Sequence, residues 1–181
     1  GFGRMKLAGS LVAVVLAGTV CAQTVPDFGF MPDGGRTLFV QVFGTDTGAN
    51  AQLAKTGDLA EWTDRIVSKG TDLDERQIRT LAGFLAATTP VPQVAGSERL
   101  GIAAILPRDG RDIALSECQS CHSLFTGYLM QNRTHEGWLA VFKSPFHMTM
   151  KLTDTEREVF ADYSAINMPL RPDDVPAELR F

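Results

Sequence analysis

The sequence has fewer basic than acidic residues, no long apolar run, and only three cysteines and three histidines. Its 17 Lys and Arg residues are outnumbered by 21 Asp and Glu, and the formal net charge of −4 argues against nucleic-acid binding. The apolar run at 11–16 is too short for a comfortable membrane span. No hydrolytic triad or phosphate-binding glycine loop is recognisable. With 44% hydrophobic and 21% charged residues, the composition is that of a globular protein of one or two small domains.

Residues 1–22 have the pattern of a secretory signal peptide. Lys6 precedes the apolar run, and the small residues that end at Ala22 predict cleavage after it and export to the periplasm. A retained membrane anchor and lipidation of Cys21 stay open as alternatives, and either would attach the protein to a membrane. The cleaved chain keeps 15 basic and 21 acidic residues, a net charge of −6, which favours a positively charged partner surface if charge guides docking.

After cleavage two cysteines are left, and both belong to a C-x-x-C-H motif formed by Cys118, Cys121 and His122. This spacing is the attachment signature of haem c, because two thiols one helical turn apart can each bond one vinyl group of the porphyrin. The adjacent histidine can then coordinate the iron. A structural zinc site would need a second ligand pair, and the sequence offers only His135 and His147, twelve residues apart.

The segment from Gly110 to His122 resembles the first helix of class I cytochromes c, in which a glycine is followed by several residues and the C-x-x-C-H motif. The resemblance implies an all-α, cytochrome c-like fold around one covalent haem c, with the haem domain at 108–170 and a C-terminal tail at 171–181. It also implies that Trp138, on a short helix at 135–142, forms a wall of the haem pocket.

The same resemblance implies that a second axial ligand comes from the loop before the last helix. Thr153 and Glu156 form a capping box that predicts the start of that helix. In the preceding loop Met150 is the first choice for the distal ligand, since it lies nearest the helix start, and His147 and Met148 are the alternatives. Met168 lies beyond the helix and is disfavoured.

The region at 35–90 is interpreted as a degenerate, haem-less copy of the same unit. Gly35 onward aligns with Gly110 onward at an offset of 75, and 73–90 aligns with 152–169 at an offset of 79. The alignment places Phe43, Asp46 and Thr47 at the positions of the two cysteines and the histidine. Residues 91–107 are predicted to be the linker. The alternative is a generic helical N-terminal extension that packs on the haem domain.

These predictions favour an electron carrier with no catalytic residues. The expected partners are a periplasmic dehydrogenase, another cytochrome or a terminal oxidase. Two other functions stay open, a docking subunit in which the haem is a relay, and a haem-based peroxidase or gas-binding protein with a displaceable distal ligand.

Overall fold

The structure is a computed structural model that describes residues 28–92, 101–119 and 121–181. The predicted signal peptide, its cleavage site after Ala22 and Cys21 lie outside the described residues. The described part of the chain contains helices and no β-strand, which confirms the predicted all-α class.

The N-terminal half of the described chain forms four helices. Two of them begin with capping boxes, in which Asp58 is paired with Glu61 and Asp74 with Gln77. Each acidic side chain accepts a hydrogen bond from a backbone N–H of the first turn, which satisfies a donor that the helix leaves unpaired. The four helices are α1 (Gly35–Phe43), α2 (Thr47–Leu53), α3 (Leu59–Val67) and α4 (Glu75–Thr88).

The C-terminal half contains shorter and more irregular helices. A short α5 (Ile102–Ile105) precedes α6 (Gly110–Ile113), which continues as the π-helical turn π1 (Ala114–Cys118). The predicted helix over 111–122 therefore ends at Cys118 rather than at the histidine. The remaining elements are π2 (Phe125–Leu129), α7 (His135–Val141), α8 (Asp154–Asn167) and two 3-10 turns (Pro172–Asp174 and Ala177–Leu179). The predicted capping box at Thr153 and Glu156 is present at the start of α8.

The two halves have separate apolar cores that meet along α4 and α8. One core contains Trp62 and the other contains Trp138. Between the halves, the Asn167 side-chain amide donates a buried hydrogen bond of 3.0 Å to the Thr80 hydroxyl. Helices α4 and α8 therefore each have two packed faces. One face contacts the core of the helix's own half, and the second face contacts the opposite half.

In both halves a glycine at the start of a helix, α1 or α6, packs against an aromatic side chain of the last long helix of that half, α4 or α8. A Cβ at Gly35 would overlap the Phe84 side chain, and a Cβ at Gly110 would overlap the Tyr163 side chain. Only glycine allows the two helices to approach so closely at these positions.

The segment predicted as a linker is partly packed onto the N-terminal half. Val91, Ile102 and Leu106 are buried in its core, and the Val91 N–H donates to the Leu53 carbonyl at 2.8 Å. Residues 93–100 lie outside the described ranges. The tail after α8 also packs on the protein, since Val175 is buried in the C-terminal core. In the ranges described, no helix combines the length and the hydropathy that a membrane crossing requires.

Candidate functional site

The C-terminal half contains a cavity of about 650 Å³ whose wall includes all three residues of the C-x-x-C-H motif. Its volume is in the range of about 300–1,000 Å³ that is usual for cofactor and ligand sites. Besides Cys118, Cys121 and His122, the wall is formed by aromatic side chains and by the loop before α8. The aromatic residues are Tyr128, Trp138, Phe142, Phe146 and Phe160.

The motif residues are positioned by the end of π1 and the turn that follows it. Cys118 is the last residue of π1 and is half-buried against the apolar core, whereas Cys121 lies in the turn and is exposed. Burial, together with the smaller effect of the neighbouring Glu117 carboxylate, raises the pKa of the Cys118 thiol to about 12. In the chain without haem, Cys118 therefore stays protonated well above neutral pH.

His122 lies directly against the backbone of Gly127 in π2. A Cβ at Gly127 would overlap the Nδ1 and Cε1 atoms of the His122 imidazole. The Nδ1 atom itself lies 3.2 Å from the Ser123 carbonyl oxygen. A carbonyl can only accept, so Nδ1 carries the proton in this hydrogen bond and Nε2 keeps a lone pair in the neutral imidazole.

The loop at 144–150 brings two of the three predicted distal ligands to the same cavity. His147 and Met150 both line it, and Met150 is partly buried against the apolar core. Met148 is 61% exposed and is not among the lining residues. The His147 ring lies 6.4 Å from the His122 ring, centroid to centroid, with an angle of 83° between the ring planes.

Trp138 lies on the cavity wall, and its indole nitrogen is a buried donor with no partner. Its side chain is 2% exposed, and within the described residues its Nε1 atom makes no hydrogen bond. The guanidinium of Arg133, which also lines the cavity, is 5.5 Å from the centre of the Trp138 ring. A buried polar donor and a cation in a mainly apolar cavity suit a ligand that is mainly apolar and carries an anionic group.

A haem fits these residues on three separate observations. Two thiols and an imidazole lie on one wall, a loop with an imidazole and a thioether contributes to the same cavity, and the unpaired Trp138 donor could meet a propionate. His147 and Met150 are both suited to an axial position on an iron whose four other ligands are porphyrin nitrogens. In the ranges that the structure describes, no three His, Cys, Asp or Glu side chains are grouped so that they could bind a metal ion.

Several residues of the site were not identified from the sequence. Gly127, Tyr128 and Ser144 carry no motif, and only folding brings them to the cavity. The Tyr128 hydroxyl lies 2.9 Å from the Ser164 hydroxyl in the core, and burial raises the pKa of Tyr128 well above its usual value. His135, weighed above as a metal ligand, instead interacts with the Glu158 carboxylate at 3.0 Å and is not a lining residue.

Comparison of the chain with protein-family models, with curated proteins and with solved structures gave no match.

Proposed function

We propose that this chain is an exported, periplasmic c-type cytochrome that carries one covalent haem and transfers single electrons. One observation carries the proposal: Cys118, Cys121 and His122 share a cofactor-sized cavity with a loop that offers a further ligand. A bare C-x-x-C-H sequence could lie on a surface with no room for a porphyrin. Here the motif lines a cavity whose wall includes five aromatic side chains.

Each site residue has a definite task in this proposal. The Cys118 and Cys121 sulfurs form thioether bonds, and the His122 Nε2 atom, left with its lone pair by the contact of Nδ1 with a carbonyl, is the proximal ligand. A residue of the 144–150 loop, His147 or Met150, would also bind the iron, so that the protein itself would supply two ligands to the metal. When bound, the haem supplies a one-electron Fe(II)/Fe(III) couple.

Electron exchange with a partner requires that part of the site reaches the surface. Cys121 and His122 are exposed, whereas Trp138 and Phe160 at the back of the cavity are buried. A periplasmic dehydrogenase, another cytochrome or a terminal oxidase could thus exchange electrons on the side of the motif.

We further propose that 35–90 and 108–170 are two copies of one cytochrome c-like unit. The glycine–aromatic contact supports this, because Gly35 with Phe84 and Gly110 with Tyr163 are equivalent pairs at the offsets of 75 and 79 found in the sequence. Trp62 and Trp138 are buried on α3 and α7, and in both cases the indole nitrogen lacks a hydrogen-bond partner within the described residues.

The contact between the halves supports a pseudo-two-fold relation of the copies. A Cβ at Gly34 would overlap the Asp109 carboxylate, and a Cβ at Gly83 would lie 3.6 Å from Asp162. Gly34 thus contacts Asp109, the residue that the offset of 75 aligns with it. Gly83 likewise contacts Asp162, the residue that the offset of 79 aligns with it. Such self-equivalent contacts occur where a two-fold axis passes through an interface, as in a symmetric dimer.

In the first copy the three haem-attachment positions are occupied by residues with structural roles. Phe43, at the position of the first cysteine, packs on the buried Phe39 with 5.0 Å between ring centres. Asp46, at the position of the second cysteine, caps α2 by accepting a hydrogen bond from the Ala49 N–H. Thr47, at the position of the histidine, is the first residue of α2. This copy is therefore expected to hold no haem.

Haem attachment can be tested by expressing the full chain in a bacterial host that has a c-type cytochrome maturation system. We expect a coloured protein with the mass of one haem per chain, whose pigment stays bound during acid–acetone extraction. Replacing Cys118 and Cys121 together by alanine should abolish retention, while Gln119→Ala, exposed between them, should retain it. A colourless product, or pigment that is extracted from the native chain, would show the proposal to be wrong.

Carbon monoxide distinguishes the carrier from a peroxidase or a gas-binding protein. A carrier has both axial positions occupied by protein ligands, so its reduced form should not bind CO at neutral pH. Rapid and complete CO binding by the reduced protein would favour the alternative functions.

A further inference from the structure

The cavity contains a pair of histidines, one from the motif and one from the loop before α8. The His122 and His147 rings both line the cavity and lie 6.4 Å apart, centroid to centroid. The sequence alone ranked Met150 above His147, since Met150 is nearer the start of the last helix. The geometry of the pair allows a different choice.

The spacing of the rings is that expected for two imidazoles on one metal ion. A metal–nitrogen bond of about 2.0–2.1 Å, plus about 1.1 Å from the nitrogen to the ring centre, places the centroids of a linear pair about 6.3 Å apart. The observed 6.4 Å is close to this value. The nearly perpendicular ring planes, at 83°, are compatible with it, because rotation about either metal–nitrogen bond leaves the centroid spacing unchanged.

Both histidines also have Nδ1 engaged by the protein. His147 Nδ1 lies 2.7 Å from the Ser144 hydroxyl oxygen, and His122 Nδ1 lies 3.2 Å from the Ser123 carbonyl oxygen. Metal-ligating histidines generally donate the second ring N–H to a carbonyl, a carboxylate or water, which selects the tautomer and the ring orientation. The His122 contact is of this kind, and the Ser144 hydroxyl has a lone pair that can accept from His147 in the same way. Within residues 28–92, 101–119 and 121–181 neither Nε2 atom makes a hydrogen bond to another residue of the cavity wall.

Met150 has a different environment. It lines the cavity, but it is also packed against the apolar cluster that contains Trp138 and Phe160, where a methionine contributes by filling space. Its backbone N–H donates to the His147 carbonyl, which links the two residues in one turn.

We propose, on the premise of the proposed haem attachment, that His147 rather than Met150 is the second axial ligand. Ser144 is then a positioning residue that orients His147 through Nδ1. Two imidazole ligands give the iron a lower reduction potential than an imidazole and a thioether do, since a methionine ligand raises the potential. The chain would then serve partners of low potential.

Ligation is read directly from the oxidised haem protein. Histidine–methionine ligation produces a weak near-infrared charge-transfer band, and bis-histidine ligation lacks it. We expect no such band in the native protein, and we expect Met150→Leu, which conserves volume, to leave the spectrum and the reduction potential unchanged. In His147→Leu we expect loss of the bis-histidine spectrum, with either CO binding by the reduced form or a new thioether band as Met150 replaces the lost ligand.

Two results would overturn the assignment. A thioether band in the native protein that disappears in Met150→Leu would identify Met150 as the ligand and leave covalent haem attachment intact. A native protein that carries no covalent haem would overturn the assignment together with the proposed function. The first result needs only the near-infrared spectra of the native protein and of Met150→Leu. The assignment can therefore be tested even if His147→Leu does not fold.

Discussion

Close packing of α6 on α8 makes Gly110 a position where a single methyl group should be strongly destabilising. A Cβ at Gly110 would overlap the Tyr163 side chain and approach the Val159 carbonyl oxygen to 2.7 Å. Tyr163 cannot rotate away freely, because it is buried and its hydroxyl donates to the Pro32 carbonyl at 2.7 Å. Relief of the overlap therefore requires α6 and α8 to move apart.

Overpacking of this kind costs about 1–3 kcal/mol of the free energy of unfolding. For a chain of this size, each kcal/mol lowers the melting temperature by about 2–4 °C, so Gly110→Ala should lower it by about 4–8 °C for a cost near 2 kcal/mol. The helix propensity of alanine offsets little of this, because Gly110 is the first residue of its helix. Thermal unfolding of the purified protein, followed by far-ultraviolet circular dichroism, measures the change.

The matched control is Gly83→Ala, in the interior of α4 at the contact between the halves. Its Cβ would lie 3.6 Å from Asp162, which is an ordinary van der Waals distance. Since alanine is more favourable than glycine in a helix by about 0.5–1 kcal/mol, this variant should melt at or above the native temperature. The companion Gly35→Ala, facing Phe84, should be destabilised like Gly110→Ala if the halves are copies. A Gly110→Ala protein as stable as the native one would refute the close-packing argument.

Three further predictions concern the site and the contact between the halves. Gly127→Ala should displace the His122 imidazole and lower the unfolding midpoint in urea. If haem is attached as proposed, the displacement should also shift the haem spectrum, and an unchanged spectrum would contradict this. In the chain produced without haem, iodoacetamide at neutral pH should alkylate the exposed Cys121 before Cys118, which is half-buried and whose pKa is raised by burial. Peptide mass spectrometry reads the order, and equal labelling rates of the two cysteines in the folded chain would contradict this. Thr80→Val should lower the free energy of unfolding by about 1–2 kcal/mol, because it removes the acceptor of the buried hydrogen bond from the Asn167 amide. Chemical denaturation measures this change, and an unchanged free energy of unfolding would show that the bond contributes nothing.

The sequence by itself determined the helical class and the limits of the last helix. The capping box of Thr153 and Glu156 acts within four residues, so its effect is local and can be read without the fold. The C-x-x-C-H motif is equally local, because its chemistry depends on the spacing of three side chains. The helix that carries the motif was less predictable. The α-helix ends at Ile113 and is followed by a π-helical turn that ends at Cys118. No local sequence signal indicates this change.

Only the tertiary structure decided which loop residues meet the motif and how the two halves pack. His147, Met148 and Met150 are within four residues of one another, and a loop has no fixed period from which their directions could be read. Their positions depend on contacts with distant helices, which bring His147 and Met150 to the cavity and leave Met148 exposed. The contact of Gly127 with His122 likewise depends on the position of π2 relative to the C-x-x-C-H motif. Long-range packing sets these positions, and packing depends on every surrounding side chain at once.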